Sequence, residues 1–232
     1  MHVSDAAAPP AGRRGPGRYT WFVVVAVAWL GTVMSGLFAL WAYDNRPGVD
    51  ASAPSRWPAA SALAAATDQP TLVFIAHPQC TCTRASLDEL AEVLARTPER
   101  PRTFVLFLRP TAFDAGWEQT DLWRRARALP DVTVLRDDDG VEAARFGVVT
   151  SGQTLLYGAD GTLIFNGGIT GSRGHVGDNA GAAALLALLT DGHADRRGAS
   201  VFGRFFSSEK SPPRFCSMKP VPGGTMPEPK PL

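Results

Sequence analysis

The apolar positions of the chain fall into three patterns. Tyr19 to Tyr43 is a run of 25 residues without one Asp, Glu, Lys or Arg. A helix that crosses the hydrocarbon core of a bilayer needs about 20 apolar residues. Tyr19 and Trp21 at one end, and Trp41 and Tyr43 at the other, match the aromatic belts of such a helix. The second pattern is short and continuous. Thr71–Ala76 and Thr103–Leu108 read as strands of a sheet covered on both faces. The third is periodic. Leu87, Leu90, Ala91 and Leu94 sit at i, i+3, i+4 and i+7, which predicts a helix over 81–96.

Weaker signals fill the rest. Asp114 to Leu129 reads as a helix, with Trp117, Leu122 and Trp123 as packing residues, and Val132–Leu135 as a short strand. Asp137-Asp138-Asp139-Gly140 is a solvated turn, followed by one or two helical turns over Val141–Phe146. Thr154–Tyr157 and Thr162–Phe165 form a hairpin through Asp160-Gly161. A glycine-rich loop, Gly167 to Gly177, leads to a closing helix over Asn179–Leu189. Strands alternating with helices predict an α/β fold: a mixed sheet with helices on both faces, behind one N-terminal transmembrane helix. The expected organisation is a tail over 1–18, an anchor over 19–43 and an Ala-, Pro- and Ser-rich linker over 44–69, with one helix from Trp57 to Ala66. The folded domain is expected over 70–192 and a disordered Pro-rich tail over 193–232.

Arg13, Arg14 and Arg18 precede the apolar run and place that side in the cytoplasm. A cleaved signal peptide would have an apolar core of about 7–15 residues and an Ala-x-Ala-like site. The run is longer, and Ala39-Leu40-Trp41-Ala42 suits cleavage poorly. The expectation is a single-pass protein of the cytoplasmic membrane. Its C-terminal domain lies in the periplasm or outside the cell, where disulfides persist. Composition adds little. A net charge of +1 gives no reason to expect nucleic acid, and 45% apolar content is ordinary for 232 residues. Three cysteines build neither a disulfide scaffold nor a structural zinc site.

Two of those cysteines carry the chemistry. Cys80 and Cys82 follow the Thr71–Ala76 strand and open the helix over 81–96. Backbone N–H groups and the positive end of the helix dipole favour a thiolate there. Cysteines at i and i+2 in a regular helix point roughly 200° apart. A disulfide between them therefore requires Cys80 to stand outside the helix, and such a small ring is labile and oxidising. The same two thiolates would suit Cu(I), joined by His77 or His175. His77 either ends the strand or supports the thiolate, and Pro78 holds the turn in an extended form. Arg173 and His175, in the glycine-rich loop, are candidates to lower a thiol pKa, bind a carboxylate or complete a metal site. Cys216 in the tail reads as adventitious, with resolution of a mixed disulfide as the alternative.

The order of elements resembles the thioredoxin fold, as found in membrane-tethered proteins of bacterial envelopes. Phe74-Ile75-Ala76, Asp139-Gly140 with Ala144-Arg145-Phe146-Gly147-Val148, and the hairpin Thr154–Phe165 carry the resemblance. His77-Pro78-Gln79-Cys80-Thr81-Cys82-Thr83, with Gly167-Gly168-Ile169-Thr170, Arg173-Gly174-His175 and Gly177-Asp178-Asn179, is similar to the bacterial RedB-like family. The resemblance implies a thiol–disulfide oxidoreductase or isomerase that needs no cofactor and acts on protein thiols or disulfides in the envelope. Cys80 would attack and Cys82 resolve. Two departures stand out. Thioredoxins have Cys-x-x-Cys where this chain has Gln79-Cys80-Thr81-Cys82. Their cis-proline facing the cysteines falls on Gly152 or Gln153. In the RedB-like pattern a cysteine often follows the Phe-Gly corresponding to Phe202-Gly203, and here Arg204 follows.

Overall fold

A computed structural model describes residues 17–49 and 52–206 of the chain. The sheet is built outward from β1 (Thr71–Ala76), whose six residues are all buried. β1 pairs in parallel with β2 (Arg102–Arg109), and β2 in parallel with β3 (Val132–Asp138). On its other side β1 pairs antiparallel with β4 (Gln153–Tyr157), and β4 antiparallel with β5 (Leu163–Gly168). A two-residue strand, β6 (Gly198–Ala199), adds in parallel to β5 and completes the order β3-β2-β1-β4-β5-β6. Five helices accompany the sheet: α1 (Arg18–Asp44), α2 (Thr81–Arg96), α3 (Asp121–Arg127), α4 (Val141–Arg145) and α5 (Ala180–Thr190).

Alternation along β1 divides the core in two. Leu72, Phe74 and Ala76 face α2, α3 and α5, where Leu87, Leu90, Val93, Leu122, Leu185 and Leu188 pack against them. Val73 and Ile75 face the other side, with Phe104, Leu106, Leu155 and Tyr157. That second face is covered by little regular helix. Ala143 and Phe146 of the α4 region contribute, and the remainder comes from the stretch 52–66, expected to be a linker with a helix from Trp57. It holds no helix. The Trp57 ring packs edge-on against Phe146 and Tyr157, with centroids 5.0 and 5.2 Å away. Leu63 and Ala66 are buried, and Ser61 and the Ala62 N–H donate to Glu142. The segment is part of the domain, held by aromatic packing and side-chain hydrogen bonds that need no helical period.

Other boundaries move for similar reasons. The helix expected over 114–129 shrinks to Asp121–Arg127, because Gly116 takes a left-handed conformation (φ +86) and Thr120 is extended. Trp117 therefore lies on a loop, stacked on Phe113. β3 runs on through Asp138, and the turn begins only at Asp139. Asp137 is not a solvated turn residue. It is buried, and its carboxylate accepts from the N–H groups of Glu142 and Ala143 at the start of α4. Gly167 and Gly168 belong to β5. Cβ atoms there would collide with Ala199 and Ser200, so the glycines let β6 approach. The part of the supposed tail up to Phe206 is folded. Val201, Phe202 and Gly203 are buried, and Phe205 bridges to Thr150. Residues 207–232, with Cys216, lie outside the described residues.

α1 is 27 residues long, and every side chain from Tyr19 to Asp44 is exposed. It is long and apolar enough to cross a membrane, as a single-pass anchor or a signal sequence would be.

Candidate functional site

The site lies at the C-terminal end of β1, where the chain leaves the sheet for α2. Pro78 is buried, and its carbonyl accepts the Thr120 hydroxyl, which ties the turn to the start of α3. Cys80 is the N-cap of α2, in an extended conformation (φ −118, ψ 125). It stands outside the helix, as a contact between sulfurs two residues apart requires. Cys82, in the first turn, is buried, while Cys80 is half-buried, and both are free thiols.

The two sulfurs are placed differently. Cys80 is held well below the ordinary thiol value, chiefly because the Cys82 thiol donates to it. Burial opposes this, and the Thr83 and Cys82 N–H groups and the Ser151 hydroxyl add to the lowering. These are the free N–H groups of a helix N-terminus, turned on a thiolate. Ser151 Oγ lies 3.9 Å from Cys80 Sγ and accepts from the Arg204 N–H at 2.8 Å. Cys82 is pushed up, first by its hydrogen bond to Cys80, then by burial and by the negative charge of Cys80. Arg173 and the Gly174 N–H pull partly the other way.

The flanking residues divide. Arg173 reaches the site. It acts on Cys82, and its Nη1 donates to the Gly203 carbonyl at 2.8 Å. His175 is exposed, with its backbone N–H turned to Ser172. His77 is buried. Its Nδ1 accepts from the Gln79 N–H, and its ring packs between Trp117 and Phe206, with centroids 5.7 and 6.4 Å away. Burial, then the Arg204 charge, depress it to about 4. His77 is thus a neutral aromatic spacer that shapes the turn. Among the described residues no group of three His, Cys, Asp or Glu side chains comes together.

Gly152 occupies the place expected to face the cysteines. Its φ is +84, its N–H donates to the Ile75 carbonyl at 2.7 Å, and no cis peptide occurs among the described residues. Gln153 is buried at the start of β4 and donates to Asn166. The contact with Cys80 is made one residue earlier, by Ser151. Sequence reading missed Ser151 and Thr83, and it assigned the 201–206 segment to the tail, marking Phe202-Gly203 and Arg204 only through the RedB-like resemblance. Ser151 was within reach, since it directly precedes the position already singled out. That the segment is folded was not, because it carries no apolar period.

The buried His77 gives a pH prediction. Its folded pKa, about 4, lies below the unfolded value near 6.5, so the unfolded chain binds more protons between those values. Stability should therefore fall as pH drops from about 6.5 to 4. Denaturant titrations should show the loss, and His77→Gln should flatten this part of the curve. An unchanged slope in the variant would contradict a buried, neutral His77.

No protein-family model and no curated protein matches the chain. Among solved structures, an uncharacterized conserved protein from Geobacillus kaustophilus superposes with a TM-score of 0.52 at 12% identity, over 71% of this chain and all (100%) of that one. The central β-α-β unit, the antiparallel hairpin beside it and a closing helix are common to thioredoxins. The fold is thioredoxin-like. Weaker likenesses include a secreted Mycobacterium tuberculosis disulfide oxidoreductase described as homologous to E. coli DsbE. It is 27% identical, with a TM-score of 0.33 over 41% of this chain and 66% of that one. The exposed lipoprotein thioredoxin Etrx1 of Streptococcus pneumoniae strain TIGR4 is 15% identical, with a TM-score of 0.39 over 53% and 84%. Measured against that thioredoxin-like frame, the cysteine pair occupies the expected junction but with one residue between the thiols instead of two.

Proposed function

We propose that the chain is a membrane-anchored, extracytoplasmic thiol–disulfide oxidoreductase of the RedB-like kind, with Cys80 and Cys82 as its redox pair. One observation carries the reading. Cys80 is an extended N-cap whose sulfur receives hydrogen bonds from the Cys82 thiol, two N–H groups and Ser151, while Cys82 is buried behind it.

The steps follow from that difference. The Cys80 thiolate attacks one sulfur of a partner disulfide, and the other partner sulfur leaves as a thiolate. The new bond joins Cys80 to the partner. The Cys82 thiol gives its proton to the departing side as its own sulfur attacks Cys80. The second partner sulfur is released, leaving a Cys80–Cys82 disulfide and a partner reduced by two electrons. In the reverse direction the Cys80–Cys82 disulfide oxidises a partner dithiol. Arg173 and the Gly174 N–H favour the charge that develops on Cys82. Ser151 and the α2 N-terminus favour it on Cys80. No cofactor enters these steps.

The anchor is α1. The arginines before it place the N-terminus in the cytoplasm and residues 46–206 in the periplasm or outside the cell. A decisive test uses the reduced full-length chain in detergent, mixed with a protein disulfide. The expected product is an intramolecular Cys80–Cys82 disulfide in peptide maps, formed with loss of two thiols per chain. Unchanged thiols after equilibration would overturn the reading.

A further inference from the structure

The structure ties the thiol pair to the end of α1. The Arg173 N–H donates to the Asp44 carbonyl at 3.0 Å, and its guanidinium lies 5.2 Å from the centroid of the Tyr43 ring. The next residue, Gly174, turns its N–H on Cys82. The chain leaving α1 then runs beside the site. The Gly48 N–H donates to the Val201 carbonyl at 2.7 Å, and the Thr150 hydroxyl donates to the Val49 carbonyl at 3.1 Å. Thr150 precedes Ser151, which faces Cys80. Cys82 is thus linked to Asp44 through Gly174 and Arg173, and Cys80 to the 201–206 segment through Ser151.

The length of α1 sets where Asp44 lies. Its 27 residues span about 40 Å at ~1.5 Å per residue. The hydrocarbon core takes ~30 Å of that, and the headgroup layers the rest. Trp41 and Tyr43 occupy the aromatic-belt position, and Asp44 falls among the headgroups. A second, independent observation marks the same face. Beyond α1, the large apolar side chains exposed among the described residues are Val49, Val141, Val176 and Phe205. Three of them, Val49, Val176 and Phe205, belong to the segments that meet the end of α1. Each is about half exposed, at 56%, 51% and 50%. Arg46 is exposed among them and can meet phosphate, while the Arg173 guanidinium is held by the Gly203 carbonyl and the Tyr43 ring. Apolar tips with an exposed arginine between them suit an interface whose deeper layer is hydrocarbon and whose surface is anionic.

We infer that the face formed by residues 43–49, 173–177 and 201–206 rests on the bilayer surface, with Val49, Val176 and Phe205 dipping into it. The thiol pair then works at headgroup level, on disulfides or dithiols carried by membrane-embedded or membrane-bound partners. This rests on the reading of α1 as an anchor.

Depth-dependent fluorescence quenching tests it in full-length chain reconstituted into phosphatidylethanolamine–phosphatidylglycerol vesicles. Single reporters are placed by Val176→Cys, Phe205→Cys, Val141→Cys and Leu37→Cys, in a chain whose three cysteines are serine. The quencher is a nitroxide on a shallow acyl carbon. Reporters at 176 and 205 should be quenched about threefold more than at 141, since interfacial side chains reach ~5–10 Å into the headgroup boundary. Quenching at 37 with 176 and 205 no different from 141 overturns the docked face and leaves the anchor standing. A reporter at 37 that escapes quenching removes the anchor, and the docked face with it. Hydrogen exchange on the unaltered chain gives a second reading. Protection of 173–177 and 201–206 gained on moving from detergent to vesicles supports the proposal, and equal exchange in both contradicts it.

Discussion

Cys82→Ser is expected to accumulate a mixed disulfide at Cys80, and Cys80→Ser to lose disulfide exchange altogether. The asymmetry follows from the site. Cys80 is half-buried at the N-cap and has N–H donors for its thiolate. Cys82 is buried and pushed above the ordinary thiol value. With Cys82 replaced, the first attack still occurs and the resolving step has no thiol. With Cys80 replaced, the hydrogen bond and charge of Cys80 that raise Cys82 go with it, and the thiol that remains is still shielded by burial. The effect is all-or-none in one variant and a trapped intermediate in the other, so peptide mapping of complexes separates them. Equal trapping at Cys82 in the Cys80→Ser chain would reverse the assignment. Cys216→Ser is expected to leave trapping nearly unchanged.

The second large effect is expected at Gly203. The 201–206 segment reaches the site through backbone: Ser151 N–H donates to the Arg204 carbonyl at 2.9 Å, and the Gly203 carbonyl accepts from Arg173. A methyl group at 203 would overlap the Ser151 carbonyl, which is backbone and has nowhere to go. Gly203→Ala should therefore cost about 1–3 kcal/mol, the usual penalty for inserting a carbon into a packed site. It should also push Ser151 and Arg173 away from the sulfurs. Denaturant unfolding reads the first effect. Alkylation of Cys80 reads the second, with the thiolate midpoint rising toward the ordinary value near 8.5. Normal stability and an unmoved midpoint would show that the segment merely lies nearby.

That segment also marks where the sequence becomes hard to read. Thr71–Ala76 and the helix over 81–96 are legible to the residue, because burial on both faces leaves an unbroken apolar run and one-sided burial leaves a 3.6-residue period. The position of Cys80 outside the helix was legible as well, from the spacing alone. The parts held by tertiary contacts were not. Trp57 sits among alanines and prolines, and only its packing on Phe146 and Tyr157 shows that it belongs to the core. Arg204 and Ser151 lie 53 residues apart, and they meet through the Ser151 hydroxyl, which accepts from the Arg204 N–H, and through backbone groups that any sequence supplies. His77 shows the limit for a single side chain. Its place three residues before Cys80 suggests chemistry, and the contacts its ring makes are with Trp117 and Phe206, in a buried place the sequence does not reveal. Asp137 is a similar case, since a run of aspartates gives no sign of which one caps a helix.

The central claim is that a low-pKa thiolate at Cys80 opens the exchange and a shielded Cys82 closes it. The most direct measurement is the rate of alkylation of each cysteine in the reduced full-length chain as a function of pH, resolved by mass spectrometry. Cys80 should react with a midpoint in the acid range, well below the ordinary ~8.5. Cys82 should react slowly throughout, and only when the solution is strongly basic. Equal rates with one shared midpoint near the ordinary thiol value would contradict the account.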